Sequence, residues 1–473
     1  MAEREETLAK NTVMFAIGSF ASKLLQIVLV PFYTRVLTRG EYGTIDILQA
    51  IVSLLIPIAS LAIYESVFRY AMEKNHDKSA VLSVGMLVCL FGTIVMCILG
   101  CILALFISPM YVWLVIANTA ANMLWTVLSQ YAKAIGRTVL FTVNNVITTV
   151  LVLGLNVIFL VLLKMGIMGY MLGYTLANLL SALSIIIWLG SDFKIRLEKI
   201  NKQLVKEMLI FAVPLLFNGI CWWLSSFTDR IMIVSMLGSE ENGLYAAASK
   251  IPHILAVVVT IFYQAWQVSA NQEFESKDIS EFYSKTYEQN AAFTFIMASG
   301  MILLCRPVAS VFLGAEYISS WVFIPPLVLS IVFFSFSQFL CSVYAANKKT
   351  KMAFITNIIG MIANIVLNVL LIPLIGAMGA AIATAFSYFV LWLVRIFDTR
   401  KVVKMHYNIS RTLISIIVLI LQAVFICVEL DVIITYSLCV AGTVLITILY
   451  WDILISILRF CWRFLKKMFK KVQ

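Results

Sequence analysis

The chain has 473 residues, of which 62% are hydrophobic and 12% are charged, and its mean hydropathy is +0.98. A soluble globular domain needs more polar surface than this composition supplies, so the sequence predicts an integral membrane protein. The formal net charge of +11 is attributed to membrane topology, and we expect no nucleic-acid partner.

Long apolar runs recur along the whole chain, and each is long enough for a membrane-spanning helix of about 20 residues. They predict an all-α integral membrane protein with about fourteen transmembrane helices, or twelve if one short pair is miscounted. The expected spans are 12–37, 42–70, 80–107, 110–132, 139–163, 166–190, 208–236, 244–272, 288–313, 320–346, 352–373, 376–398, 412–430 and 433–458.

Lysine and arginine residues are distributed unevenly between the two sets of loops. Most lie in the termini and in the loops that follow even-numbered spans, whereas the opposite loops hold Arg35, Arg39, Lys164 and Arg306. Because cytoplasmic loops are enriched in Lys and Arg, both termini are expected to be cytoplasmic. No removable signal peptide is expected at the N-terminus.

An internal repeat relates spans 1–6 to spans 7–12. The segment AIGRT at 134–138 parallels ANKKT at 346–350, and FYTR at 32–35 parallels FTDR at 227–230. Parallel repeats predict two pseudo-symmetric six-helix lobes of the kind used in alternating access. The predicted organisation is an N-terminal lobe, a cytoplasmic linker, a C-terminal lobe, spans 13 and 14, and a basic tail, at 1–193, 194–207, 208–399, 400–458 and 459–473.

Charged residues inside spans are costly, so each is a candidate functional residue. Lys23, near the middle of the first span, is expected to face a protein-lined cavity or to have a structural counter-charge. We predict two ion pairs near the outer face, Arg35 with Asp46 and Asp229 with Lys250, each either a structural latch or a gate. Glu65 and Arg69 are spaced for an i, i+4 pair on one helix face.

The motifs of catalytic and metal sites are missing from this sequence. No spacing of its His and Cys residues suggests a metal site, and no nucleophile elbow, Walker loop or dinucleotide fingerprint occurs. We therefore predict a protein that is not an enzyme and that has no catalytic residue, metal or cofactor.

Several segments together resemble a known family. They are an arginine before G-E-Y-G after the first span, D-R-I-M-I-V-S-M-L-G at the end of the seventh, E-N-G-L-Y-A-A-A-S-K-I-P after it, and the two A-x-x-(R/K)-T segments. In these segments the chain resembles the polysaccharide-exporter branch of the multidrug/oligosaccharidyl-lipid/polysaccharide (MOP) superfamily. The nearest type is the Wzx-like flippase of O-antigen, capsule or teichoic-acid pathways.

The resemblance implies a V-shaped, two-lobed carrier that moves an undecaprenyl-diphosphate-linked oligosaccharide from the inner to the outer leaflet of a bacterial cytoplasmic membrane. It implies coupling to H⁺ or Na⁺, action as a monomer beside other polysaccharide assembly proteins, and contact with membrane lipid. Its candidate cavity residues are Lys23, Arg35, Arg230 and Lys250, because an anionic diphosphate in a low-dielectric cavity requires positive charge.

Three alternatives to this interpretation stay open. Drug exporters of the superfamily usually carry an acidic residue in the first helix, where this chain has Lys23, and lipid II flippases tend to carry several basic residues early in the N-terminal lobe. A multidrug exporter, a lipid II flippase and a non-transporting scaffold of a glycan-assembly complex are therefore the alternatives. A membrane glycosyltransferase would require an acidic metal-binding cluster or a long extracellular loop, and the sequence has neither.

Overall fold

The computed structural model describes residues 29–73, 75–272, 274, 276, 278–347, 350–428, 431–456 and 459. Lys23, the candidate substrate contact of the first span, lies outside the described residues, as does nearly all of the predicted basic tail. Throughout the described part of the chain every regular element is a helix, so the all-α prediction is confirmed.

Sixteen α-helices are numbered here, and a further helical stretch is described at 451–456. A short π-helix at Val157–Leu162 continues the sixth helix, and 3₁₀ helices lie at Gly190–Asp192, Leu197–Lys199 and Ala315–Phe323. The numbered α-helices are α1 (29–36), α2 (Arg39–Ala59), α3 (Ile63–Met72), α4 (Lys78–Leu103), α5 (Pro109–Ala134), α6 (Thr138–Asn156), α7 (Gly166–Leu189), α8 (Lys202–Leu237), α9 (Ser239–Gln272), α10 (Ile279–Leu303), α11 (Cys305–Phe312), α12 (Ile324–Ala346), α13 (Thr350–Ile375), α14 (Ala377–Thr399), α15 (Ile409–Cys427) and α16 (Val432–Leu449).

Among the described residues, eleven helices are long and apolar enough to cross a membrane, and α10 with α11 makes a twelfth if this pair, bent by 66°, counts as one span. The 36-residue helix α8 is also long enough to cross a membrane, and these helices agree with a total of about fourteen. Most of the first predicted span lies outside the described residues. Large apolar side chains on α4, such as Leu90, Phe91 and Ile98, are exposed, as expected of a surface that faces lipid. The chain is a multi-pass membrane protein.

The second predicted span is broken into α2 and α3. Leu61 and Ala62, between the two helices, have φ angles of 50° and 52°, which interrupts the helical path. Pro57 lies in the last turn of α2, and its carbonyl oxygen accepts a hydrogen bond of 2.9 Å from the Ala62 amide. This six-residue turn re-forms a backbone hydrogen bond at a point where a free carbonyl in the membrane would be costly.

The chain divides into two compact units, unit 1 (Met1–Ile231) and unit 2 (Met232–Gln473). The division falls inside α8 and therefore lies beyond the linker predicted at 194–207. Side-chain hydrogen bonds explain why the first part of α8 belongs to unit 1. Ser66 Oγ donates to the Met208 carbonyl at 2.6 Å, and Trp223 Nε1 donates to the Ala50 carbonyl at 2.7 Å.

Close helix contact in unit 1 depends on Gly92 of α4. A Cβ atom at this position would lie 1.9 Å from the carbonyl oxygen of Ala59 at the end of α2. The neighbouring atom is part of the backbone, so no side-chain rotation can make room for it. Gly92 thus permits α4 to pack directly against the broken end of α2.

Gly92→Ala is expected to lower the free energy of unfolding by about 1–3 kcal/mol, because the new methyl group forces the two helices apart. The matched control is Gly154→Ala in α6, where an added Cβ would meet no atom within 4 Å. Thermal unfolding in detergent measures both variants. Equal melting temperatures for the two variants would contradict the close contact between α4 and α2.

Candidate functional site: charges buried within the spans

An ion pair inside unit 1 connects α2 to α8. Arg230 Nη1 lies 3.1 Å from Asp46 Oδ1, and the two side chains are only 17% and 8% exposed. The Arg230 guanidinium also lies over the Phe227 ring, 5.1 Å from its centroid. A carboxylate and a guanidinium at this burial neutralise one another, which reduces the cost of holding either charge within the membrane-spanning region.

Local sequence explains where Asp46 lies on α2. Thr38 and Glu41 form a capping box, in which the Thr38 amide donates to Glu41 Oε2 at 3.0 Å. The box fixes the first turn of α2 and so places Asp46 about two turns into the helix. Farther along α2, Trp223 Nε1 donates to the Ala50 carbonyl and, at 3.1 Å, to Ser53 Oγ. The two helices are therefore held together at two levels.

The structure gives new positions to several residues that the sequence singled out. Asp46 is paired with Arg230, which the sequence analysis had placed among the cavity contacts. Arg35 is exposed at the end of α1, and its pairing with Asp46 stays a prediction. Asp229 and Lys250 are half-buried in unit 1 and unit 2 respectively, and their pairing also stays a prediction.

Arg69 forms an ion pair with Glu73, and not with Glu65, the partner expected from the sequence. Arg69 Nε lies 3.1 Å from Glu73 Oε1, with the two side chains 59% and 38% exposed. Arg69 is in the last turn of α3, so its side chain meets Glu73 in solvent, whereas Glu65 is half-buried. An exposed pair requires less desolvation than one directed inward, which accounts for the difference.

Arg395 of α14 is a buried charge in unit 2 that the sequence analysis did not select. Its side chain is 1% exposed, and it forms four hydrogen bonds to α12 and α13. Nη1 donates to the carbonyl and the hydroxyl oxygen of Ser337, both at 2.8 Å. Nη2 donates to Asn357 Oδ1 at 2.8 Å, and Nε donates to Thr356 Oγ1 at 3.1 Å. Within the described residues, all of these partners are neutral oxygen atoms.

The signal that could have identified Arg395 is its position, since it is the first charged residue of the predicted span 376–398. Asn357 is one of many polar residues in the predicted spans. Sequence alone does not show that Ser337, Thr356 and Asn357 come from two other helices to surround one guanidinium group. The result is a polar junction of three helices in unit 2.

Two asparagines related by the internal repeat are also fully buried. Asn156 at the end of α6 donates from Nδ2 to Tyr33 Oη at 3.1 Å, and Gly173 of α7 leaves room for the amide, since a Cβ there would lie 2.8 Å from Asn156 Oδ1. Asn368 of α13 donates from Nδ2 to Asn364 Oδ1 at 3.1 Å. Each asparagine is 0% exposed, so both repeats bury a polar side chain at this position.

The buried polar groups described above belong to helices of the two units. Across the parts of the chain that the structure describes, no group of three or more His, Cys, Asp or Glu residues could hold a metal ion. The chemistry available at these positions is charge neutralisation and hydrogen bonding, which suits the recognition of a charged or polar solute.

Many apolar helices, with buried charges that are paired or hydrogen-bonded, define a polytopic membrane protein. The sequence profile of the family described as "Polysaccharide biosynthesis protein" matches residues 8–267, and that of the MatE family matches residues 214–370. The chain belongs to the polysaccharide biosynthesis protein family, and the resemblance to the polysaccharide-exporter branch of the MOP superfamily is confirmed.

Two relatives illustrate the sequence similarity. The Lsg locus putative protein 1 of Haemophilus influenzae is 26% identical over 270 residues, which cover 54% of this chain and 63% of the relative. An uncharacterized membrane protein of Methanocaldococcus jannaschii is 22% identical over 260 residues, which cover 52% of this chain and 61% of that protein. The chain thus matches less than two thirds of the length of either.

Solved structures share the fold along most of the chain. The lipid II flippase MurJ in an inward closed conformation has a TM-score of 0.69 at 15% identity, covering 93% of this chain and 100% of its own. An inward-facing multidrug resistance MATE family transporter of the MOP superfamily has a TM-score of 0.62 at 13% identity, covering 83% and 98%. The fold is therefore that of MOP-superfamily flippases and transporters, in line with the expectation that the chain is not an enzyme.

Arg230→Gln is expected to lower the free energy of unfolding by about 3–5 kcal/mol, because it removes the guanidinium that neutralises buried Asp46. The double variant Asp46→Asn/Arg230→Gln is expected to lose less than the two single changes together, because it leaves no charge behind. Arg69→Gln, at an exposed pair, is the control and should cost less than about 1 kcal/mol. Strict additivity of the two single changes in chemical unfolding would contradict the pairing.

Arg395→Gln is expected to destabilise unit 2 by about 2–5 kcal/mol, because it leaves several buried oxygen atoms without their donors. Arg395→Lys should recover little of this loss, since an ammonium group lacks the planar fork that reaches both α12 and α13. Arg400→Gln, at an exposed arginine five residues away, is the matched control. Equal melting temperatures for Arg395→Gln and Arg400→Gln would exclude a structural role for the junction.

Proposed function

We propose that this protein is a flippase that moves an undecaprenyl-diphosphate-linked oligosaccharide from the inner to the outer leaflet during polysaccharide biosynthesis. The observation that carries the proposal is membership of a polysaccharide biosynthesis family in a chain that has the fold of a lipid flippase. The substrate is a glycolipid whose apolar tail stays in the bilayer, so only the diphosphate and the sugars cross.

The charges in unit 1 support an anionic headgroup as the substrate. Arg230 is held by Asp46 but keeps some exposure, at 17% of its side chain. A diphosphate offers more acceptor oxygens and more charge than one carboxylate, and guanidinium groups bind phosphates through paired hydrogen bonds. We propose that Arg230 exchanges Asp46 for the diphosphate during transport, so that the ion pair is a gate.

Lys23, Arg35 and Lys250 are the further proposed contacts of this headgroup, and coupling to H⁺ or Na⁺ is proposed as the energy source. The distribution of Lys and Arg supports an orientation with both termini in the cytoplasm, and a bacterial cytoplasmic membrane is the proposed location. The chain is proposed to act as a monomer beside polysaccharide assembly proteins. The family membership favours this glycolipid over a drug or lipid II as the substrate.

Leaflet-resolved measurement of polyprenyl-diphosphate glycan tests the proposal in cells that lack the chain and in cells complemented with it. The glycan is expected to accumulate on the inner leaflet without the chain, and complementation is expected to restore its export. Lys23→Ala should fail to complement, whereas Lys23→Arg should restore part of the export because it keeps the positive charge.

Dye efflux and lipid II distribution are measured in the same cells. An unchanged glycan distribution with reduced efflux would replace the proposal by a drug exporter, and inner-leaflet lipid II alone would replace it by a lipid II flippase. Export that is lost in cells without the protein but normal in cells that carry only Lys23→Ala would indicate a scaffold. Full-length expression of each variant is confirmed on blots of the membranes.

A further inference from the structure

An open cavity of about 560 Å³ lies in unit 1 where three membrane-crossing helices end. It is formed by the start of α4, the turn between α5 and α6, and the segment that follows α7. This volume is in the range of small-molecule sites. Six charged residues line it, four basic and two acidic: Lys78, Arg137, Lys194, Arg196, Asp77 and Asp192.

Both acidic residues of this cavity already have cationic partners. Asp192 Oδ2 accepts hydrogen bonds from Arg137 Nη2 at 2.8 Å and from Arg137 Nε at 3.2 Å. Asp77 pairs with Lys199, and the Ser79 amide donates to it at 2.9 Å. Lys199 and Ser79 hold the pKa of the Asp77 carboxyl well below its usual range. The Asp77 carboxyl is therefore ionised at physiological pH, and each of the two acids is neutralised by a basic partner.

Three basic residues of the cavity have no such partner. Among the described residues, no carboxylate lies within ion-pair distance of Lys78, Lys194 or Arg196, and all three line the same space. The cavity thus keeps a surplus of positive charge after its own acids are neutralised. Such a surplus is the electrostatic condition for binding an anion.

The segment that carries Lys194 and Arg196 is held in place by two other helices. The Arg196 amide donates to Ser83 Oγ of α4 at 2.8 Å, and Tyr131 Oη of α5 donates to the Asp192 carbonyl at 3.2 Å. The bias of basic residues toward one side of a membrane explains why they occur in these loops. It does not explain why three separate segments bring them around one cavity, with the backbone fixed by side-chain hydrogen bonds.

We propose that this cavity binds a phosphate group, as a phosphate monoester or diester, through Lys78, Lys194 and Arg196. The cavity adjoins the first residue of α4 and the last turns of α5 and α7, a position at the depth of lipid headgroups. The phosphate belongs either to an anionic lipid or to a soluble compound of the adjoining compartment. The site does not depend on the proposed transport function.

The test measures thermal unfolding of the purified full-length protein in a neutral detergent at constant ionic strength. Inorganic phosphate is titrated in one series, and micelles with increasing phosphatidylglycerol are used in a second, with phosphatidylcholine as the uncharged reference. A ligand that binds the folded state raises the melting temperature with its concentration. We expect at least one of the two anionic probes to do so.

The decisive variant is Lys194→Gln/Arg196→Gln, which is expected to raise the half-maximal concentration of the active probe at least about tenfold. The matched control is Lys285→Gln/Lys404→Gln, which removes the same charge from exposed positions in unit 2. This control is expected to respond like the unaltered protein. Lys78→Gln provides a second, milder change at the start of α4.

A shift with phosphatidylglycerol alone would identify a lipid phosphate, and a shift with inorganic phosphate alone would identify a soluble ligand. Shifts with both would support the shared phosphate chemistry. The proposal is overturned if neither probe acts, if the cavity variants respond like the unaltered protein, or if the unit 2 control loses as much as they do. If the double variant is already unfolded without ligand, the responses of Lys78→Gln to the two probes are compared with those of the unaltered protein instead.

Discussion

A charge placed within a membrane-crossing helix must be satisfied by the protein, because the lipid around the helix supplies neither water nor counter-ions. This protein meets the constraint differently in its two units. In unit 1, Asp46 and Arg230 neutralise one another across two helices. In unit 2, Arg395 keeps its charge and is surrounded by hydroxyl, amide and carbonyl oxygen atoms from α12 and α13.

The two arrangements suit different roles. In an ion pair, the guanidinium can exchange its carboxylate for a competing anion. The exchange leaves no guanidinium without an anionic partner. The surroundings of Arg395 have no comparable alternative, because its four hydrogen bonds come from fixed positions on neighbouring helices and its side chain is 1% exposed. This difference supports the proposed exchange at Arg230 and a structural role for Arg395 in unit 2.

Much of the fold was predictable because apolar run length and the positions of basic loops are local properties of sequence. The spans and the all-α class follow from them, and the family follows from the resemblance of particular sequence motifs. The break at Leu61 and Ala62 was not predictable, since neither residue favours a positive φ. The bend between α10 and α11 was also missed, because the span 288–313 appears as one apolar run.

The site was less predictable than the fold, because pairing depends on which helices pack together. Asp46 and Arg230 were each identified from the cost of a buried charge, but 184 residues separate them and no sequence spacing joins them. Arg69 was assigned to Glu65 by helical spacing, although Glu73 satisfies the same rule in the other direction. The basic cavity of unit 1 was hidden for a similar reason, since its residues come from three loops that sequence treats as topology signals.

Transport by the purified chain is the most direct measurement of the function assigned to it. The protein is reconstituted into liposomes with a fluorescent polyprenyl-diphosphate oligosaccharide, and a membrane-impermeant quencher reports how much of the lipid lies in the outer leaflet. The proposed function predicts a quenchable fraction that rises with time in the presence of an ion gradient, and a slower rise with the Asp46→Asn/Arg230→Gln protein. A quenchable fraction identical to that of protein-free liposomes, under H⁺ and Na⁺ gradients of either direction, would contradict the assignment.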